Sequence, residues 1–317
     1  MIKQKRREFL RTASVMTAGV AISHKIFSRA PIPEVTSHPI CVFTKCLQFL
    51  DYDRLGEAIA QAGFDGADLS VRTGGHVLPE NIQVDLPRAI KALQKHGIKV
   101  PMMVTGINRA DDPSIERVLG TASGLGVRHY RMGYLNYDPA KSIQETLDGH
   151  KRTIEKLENI NRKFGIHGEY QNHSGTRVGA AVWDTYWILK DSDPAYIGSQ
   201  YDIRHAVCEG GKSWPIGMKL LAPWIKSTAA KDFLWKKVDG TWKIVDVPLG
   251  DGMVDYDTYL KEYSTLGITG PVSIHYEYDL GGAELGRTNP KMGLEEISIY
   301  LKRDLHWLKT KFKQHDI

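Results

Sequence analysis

The stretch Ile154-Glu155-Lys156-Leu157-Glu158-Asn159-Ile160-Asn161-Arg162-Lys163-Phe164-Gly165-Ile166-His167-Gly168-Glu169-Tyr170-Gln171 contains the unit from which this chain is built. Ile154, Leu157 and Ile160 fall on one face of a helix. Gly165 stops that helix, because glycine enters the left-handed conformation without a Cβ penalty and turns the chain back. The run 166–171 that follows has the length of a strand.

The same order of parts recurs on both sides. Leu55, Ile59 and Ala62 precede Gly63 and a run at 66–71. Leu86, Ile90 and Leu93 precede Gly97 and 98–104, and the segment 113–125 precedes Gly126 and 127–132. Tyr259, Leu260, Tyr263 and Leu266 precede Gly267 and 272–276. Strand-like runs at 40–44, 196–202 and 224–230 bring the count to eight, and an amphipathic helix over 294–308 closes the series. Strands alternating with helices imply parallel pairing through right-handed crossovers. This predicts an α/β fold, a (β/α)8 TIM barrel, with a doubly wound open sheet as the alternative. No GxGxxG or GxxxxGK[ST] follows the first strand, which argues against nucleotide binding. Alternating apolar residues around Asp239-Gly240 predict a β-hairpin inserted after strand seven, placed as a partial lid over the catalytic end.

The chain carries a formal charge of +5, but its first thirty residues hold Lys3, Lys5, Arg6, Arg7, Arg11, Lys25 and Arg29 against Glu8 alone. The remainder is therefore near neutral and shows no nucleic-acid footprint. Lys5-Arg6-Arg7-Glu8-Phe9-Leu10-Arg11, followed by a short apolar stretch, resembles a twin-arginine export signal. The expected organisation is an export signal at 1–30, a linker at 31–38 and one barrel domain at 39–317. The expected location is periplasmic, with the cleavage site and a retained anchor left open. The stretch is too short and polar for a stable membrane span, and oligomerisation is left open. Cys41, Cys46 and Cys208 have no metal-like spacing and read as buried, inert thiols.

In a barrel of this kind the site forms at the C-terminal ends of the strands, and four strand ends are rich in ionisable groups. Strand five ends in Glu169-Tyr170-Gln171-Asn172-His173, and strand six in Tyr201-Asp202-Ile203-Arg204-His205. Strand seven ends in Ala229-Ala230-Lys231-Asp232, and strand eight in His275-Tyr276-Glu277. Alternation along a strand places Gln171 with His173 on one face, and His275 with Glu277 on another.

With its unit order and its Tyr-Asp-x-x-His segment on strand six, the chain resembles the xylose-isomerase-like barrels of the sugar phosphate isomerase/epimerase type, over about residues 39–310. The resemblance implies a divalent metal held by Glu on strand five, Asp on six, His on seven and Glu on eight, with glutamates moving a proton through an enediolate. Here those positions read Gln171, Asp202, Ala229 and His275, and a slip of two residues would restore Glu277. Asp202, Gln171 and His275 are thus the metal candidates, for Mn, Mg or Zn. Ligand charge falls from −3 to −1, which weakens a hard cation. The catalytic candidates are Glu277 as base, Lys231 and His173. Lys231 reads either as an electrophile replacing the metal or as an ion-pair partner of Asp232 or Asp202. His205, Arg131 and His275 are the substrate-binding candidates. Asp202 with His205 reads alternatively as a capped turn, His173 and His275 as core hydrogen-bonders, and Arg131 as a surface salt bridge. Glu169 reads as a structural partner of Lys or Arg, and His76 as a weaker site candidate.

The expected activity is proton abstraction next to a carbonyl of an unphosphorylated sugar or keto-sugar, as isomerase or epimerase. The alternatives are a lyase or hydratase acting on 3-keto-glycosides, and a sugar-binding barrel without catalysis.

Overall fold

The structure is a computed structural model and describes residues 38–317. The export segment and all of the linker but His38 lie outside the described residues. Eight strands close into a parallel barrel: β1 (Ile40–Phe43), β2 (Gly66–Ser70), β3 (Lys99–Val104), β4 (His129–Arg131), β5 (His167–Gln171), β6 (Ile197–Asp202), β7 (Ile225–Ala230) and β10 (Val272–Ile274). β1 pairs with both β2 and β10, so no strand edge is left open. The eight-unit reading holds and the open sheet is excluded.

Between the strands run α1 (Tyr52–Ala62), α2 (Ile82–Lys95), α3 (Ile115–Gly124), α4 (Ile143–Phe164), α5 (Val182–Leu189), α6 (Ile203–Gly210), α7 (Trp214–Leu221) and α8 (Tyr256–Thr265), and α9 (Leu294–Gln314) closes the ring. The caps explain several of these boundaries. Asp51 accepts the Asp53 and Arg54 N–H groups at the start of α1, and Ser142 with Glu145 forms a capping box on α4. Gly63 and Gly165 end α1 and α4 in the left-handed conformation, at φ 91 and 60. The last helix outruns its expected end at 308, because Leu308 and Phe312 continue its buried stripe. α5 and α7 lack the glycine stop that betrays most of the other helices.

Apolar side chains such as Leu55, Ile59, Leu86, Ile154 and Leu157 fill the layer between helices and barrel wall. Inside the barrel the filling is unusually polar: Asp68, Arg131, Glu169, Gln171, Asp202, Lys231 and His275 are all buried. The predicted hairpin is β8 (Asp232–Val238) with β9 (Thr241–Val247), turned at Asp239 (φ 50) and Gly240 (φ 79). It leaves β7 directly, at the mouth of the barrel. No helix among the described residues is long and apolar enough to cross a membrane. Cys41 and Cys46 are buried free thiols, and burial pushes Cys46 up to about 12. Cys208 departs from the expectation in being only half-buried.

Candidate active site

The site grows from the end of β6. Asp202 is fully buried, and its Oδ1 caps α6 by accepting the His205 N–H at 3.2 Å. Its other oxygen faces the barrel axis. There Lys231 Nζ lies 2.8 Å from Oδ2, and Gln171 Nε2 donates to the same atom at 2.8 Å. Lys231 Nζ also stands 2.7 Å from His205 Nε2. The capped-turn reading of Asp202 holds for one oxygen, and the other pairs with the Lys231 ammonium. Lys231 pairs with Asp202 and not with Asp232. The Asp232 carboxylate instead gathers the N–H groups of Phe233, Gly250, Gly252 and Val254, tying down the loop after the hairpin.

Register explains how a lysine reaches this point. Asp202 pairs with Ala229, whose methyl is the only side chain the expected ligand position offers. Two residues further along the same face comes Lys231. Around it the imidazoles stay neutral. Burial, then the Lys231 charge, hold His205 well below its ordinary value. The same causes lower His173 to about 4. The His173 ring stacks on His205 at 4.0 Å between centroids. Ser174 Oγ contacts His205 Nδ1 at 2.8 Å, and Arg204 Nη1 lies 3.0 Å from the same nitrogen.

On the β4 side, Arg131 Nη1 donates to Gln171 Oε1 at 2.8 Å, and Tyr134 donates its hydroxyl to the same oxygen at 2.9 Å. Arg131 is buried, which removes the surface salt-bridge reading. Gln171 thus bridges a guanidinium and Asp202, one group at each end of its amide. On the β10 side, His275 is buried against Phe43, with Nε2 3.8 Å from Asp68 Oδ2. Burial comes first, then Lys231 and Arg131, in holding His275 well below its ordinary value. Glu277 stands nearer the mouth, its side chain 31% exposed, and pairs with Lys45 Nζ at 2.9 Å. Burial pushes Glu277 up, but Lys231, Lys45 and Arg131 outweigh it and leave the carboxyl below its usual range. Lys231, His275 and Glu277 border one closed crevice under the hairpin, too tight to admit a water molecule.

The donor set does not fit the divalent ion that the resemblance implies. Gln171 and Asp202 adjoin, but an ammonium occupies the free side of Asp202. Ala229 has no donor atom and Glu277 turns to Lys45, while His275 Nε2 is buried without a hydrogen-bond partner, 3.8 Å from Asp68 Oδ2. Among the described residues, a different group has metal-like spacing deeper in the barrel: the donor atoms of His129, His167 and Glu169 lie within 4.8 Å of one another. Burial works to raise the Glu169 carboxyl, but the His129 charge and both imidazole hydrogen bonds bring it down to about 2. Glu169 is therefore partnered by two histidines and by Ser227 Oγ, not by Lys or Arg. His76 is taken up by Ser70 and the Leu47 carbonyl and belongs to the loop, not to the site.

Sequence reasoning missed Lys45, Asp68, Arg72, Tyr134 and Arg204. Lys45 lies in the turn just after β1 and Arg204 in the first turn of α6, both beyond the strand ends, where alternation gives no direction and nothing local marks their partners.

A family model for the xylose isomerase-like TIM barrel matches residues 57–303, so the chain is defined first as a parallel barrel carrying a polar strand-end site. The chain belongs to the xylose isomerase-like TIM barrel family. No curated protein matches the sequence. Solved structures share the fold at low identity. D-allulose 3-epimerase from Methylomonas sp. superposes with a TM-score of 0.65 at 12% identity, over 89% of this chain and 99% of that one. 3-Keto-D-glucoside 4-epimerase from E. coli gives 0.62 at 12%, over 86% and 100%. The probable 3-DHS dehydratase from Bacillus anthracis gives 0.62 at 15%, over 86% and 98%.

Proposed function

We propose that this chain is an enzyme that moves a proton next to the carbonyl of a sugar or keto-sugar, with Lys231 in the electrostatic role that relatives give to a metal. The observation that carries this reading is the buried Lys231 ammonium, held between Asp202 Oδ2 and His205 Nε2 at the strand ends. A cation fixed there stabilises the oxyanion that develops when the neighbouring C–H bond breaks. The two imidazoles beside it are neutral and add no competing positive charge. Glu277 is the base: it is ionised, stands at the mouth, and borders the same crevice as Lys231. His173, His205, His275 and Arg131 place the substrate oxygens. Isomerisation or epimerisation is the first assignment, in keeping with the epimerases that share the fold.

Elimination from a 3-keto-glycoside is the second reading. It uses the same base and cation, and a dehydratase is among the structures of the same fold. The leader, if it acts as an export signal, places this chemistry in the periplasm.

The test is exchange of solvent deuterium into a panel of keto-sugars, followed by NMR. Wild type should label the carbon next to the carbonyl, and Glu277→Gln should lower the rate by about 10²–10⁴-fold, the usual contribution of a general base. Release of an aglycone in place of a mass-conserved isomer would assign the lyase. Labelling that survives Glu277→Gln undiminished would remove Glu277 from the base role.

A further inference from the structure

Phe43, the last residue of β1, has three cations around its ring. Lys45 Nζ lies 5.9 Å from the centroid, the Arg72 guanidinium carbon 5.4 Å and that of Arg131 5.6 Å. Only Lys45 has a carboxylate partner, Glu277. Arg131 spends Nη1 on two neutral oxygens, those of Gln171 and Tyr134, and its Nε is buried with no partner. The Arg72 guanidinium has no ion pair or hydrogen bond among the described residues and lies against the Phe43 ring. Burial, and then the Arg131 charge, lower the pKa of Arg72, so the two guanidiniums work against each other.

Two carboxylates act on this wall from a distance: Glu277, which is paired with Lys45, and Asp68, which accepts a hydrogen bond from Ser273. Two partly desolvated, like-charged forks with no ion-paired carboxylate of their own are costly alone and complementary to an anion. Guanidinium forks match a carboxylate in two-point geometry. Room for such a group exists. Arg72 lines a cavity of about 300 Å³ beside the ends of β2 and β3, with Thr105, Asn108, Arg109 and the carboxylates Glu80 and Asp112; Arg131 borders the Phe43 wall but not this cavity.

We propose that the substrate is an anionic sugar whose carboxylate docks between Arg72 and Arg131 at the Phe43 wall. This rests on the reading of the barrel mouth as a sugar site and adds the class of sugar it takes. A phosphate offers the same chemistry, so the test separates the two sources. A role for Arg131 in holding Gln171 explains Nη1, but it leaves Nε and the whole of Arg72 unaccounted for.

The experiment is calorimetric titration of the folded chain, wild type and Arg72→Gln, with D-glucose, D-glucuronate and D-glucose 6-phosphate. Glucuronate should bind roughly tenfold or more tightly than glucose, the scale of one charge-assisted hydrogen-bonded contact. That preference should shrink in Arg72→Gln, whose far-UV circular dichroism stays unchanged, and should weaken with added salt. A preference for glucose 6-phosphate over both would support the anion site and assign it to phosphate. Equal affinity for acidic and neutral sugars, a preference untouched by Arg72→Gln, or no binding of either anion would overturn the proposal. The titration requires no turnover. Failure here leaves the proton-transfer reading standing, and failure of deuterium exchange leaves the anion site standing.

Discussion

Lys231 is only 4% exposed, and its charge is balanced by an Asp202 that is not exposed at all. Removing one member of such a pair leaves the other charge buried alone. Lys231→Met should therefore cost about 3–5 kcal/mol in urea unfolding, the scale for breaking a buried pair. The double variant Lys231→Met with Asp202→Asn should recover part of that loss while staying inactive. Recovery of activity in the double variant would show that the pair serves only the fold.

A second residue-scale prediction concerns Asp304, buried beneath the loop after the hairpin and accepting the Tyr278 hydroxyl at 2.9 Å. Burial pushes its carboxyl from 3.8 up to about 7. A raised pKa contributes stability that is full below the unfolded value and is lost as pH rises through the folded value. The stability of wild type relative to Asp304→Asn should therefore fall between pH 5 and pH 8. A difference that stays flat across that window would mean the carboxyl is ionised throughout.

These residues were unequally legible. Asp202, His205 and Lys231 stand at strand ends, so the repeat located them. Asp202–Lys231 itself was one of two pairings the residue order allowed. Lys45–Glu277 joins β1 to β10 across 232 residues, and no local pattern records such a meeting. Arg72 sits in the loop after β2, where periodicity gives no direction.

At the scale of elements, the glycine stops made the fold readable. Gly63, Gly97, Gly126, Gly165 and Gly267 all take positive φ. A Cβ at Gly63 would meet nothing nearer than Leu305 Cδ2 at 3.8 Å, so the cost of Gly63→Ala is conformational. It should be about 1–2 kcal/mol by denaturant titration, with activity retained. Where glycine was absent, as after α5 and α7, short helices passed unseen. Their apolar residues lie on more than one side, so no stripe emerges; Trp183 and Ile216 are exposed.

The hairpin is tied to the site at one point. Arg204 Nη2 pairs with Asp246 on β9, while Nη1 of the same guanidinium reaches Ser174 and His205. This single side chain couples lid position to the His205 ring. Asp246→Ala should release the hairpin, speeding protease cleavage near Asp239-Gly240 and weakening substrate binding several-fold, with little change in melting temperature because Asp246 is partly exposed. Unchanged cleavage and unchanged binding would show that the strand pairing alone holds the hairpin in place.

At the scale of the whole molecule, the barrel is the frame its family shares, and its interior is organised around one buried ion pair. Gln171 and Ala229 stand where the resemblance implies acidic and imidazole donors, and Lys231, two residues beyond Ala229, lies beside Asp202. In the proposed reading its fixed ammonium takes the electrostatic place of a bound ion. The sequence reading named the departures from the implied ligand set and Lys231 as a replacement for the metal; which carboxylate Lys231 reaches is a matter of barrel register.

The most direct test is deuterium exchange into the keto-sugar panel by wild type before and after exhaustive chelation, beside Lys231→Met. The account predicts that exchange persists after chelation and is lost, by about a hundredfold or more, in Lys231→Met, the scale for removing one stabiliser of a developing oxyanion. Exchange abolished by the chelator, restored by added Mn²⁺ and retained in Lys231→Met would contradict it.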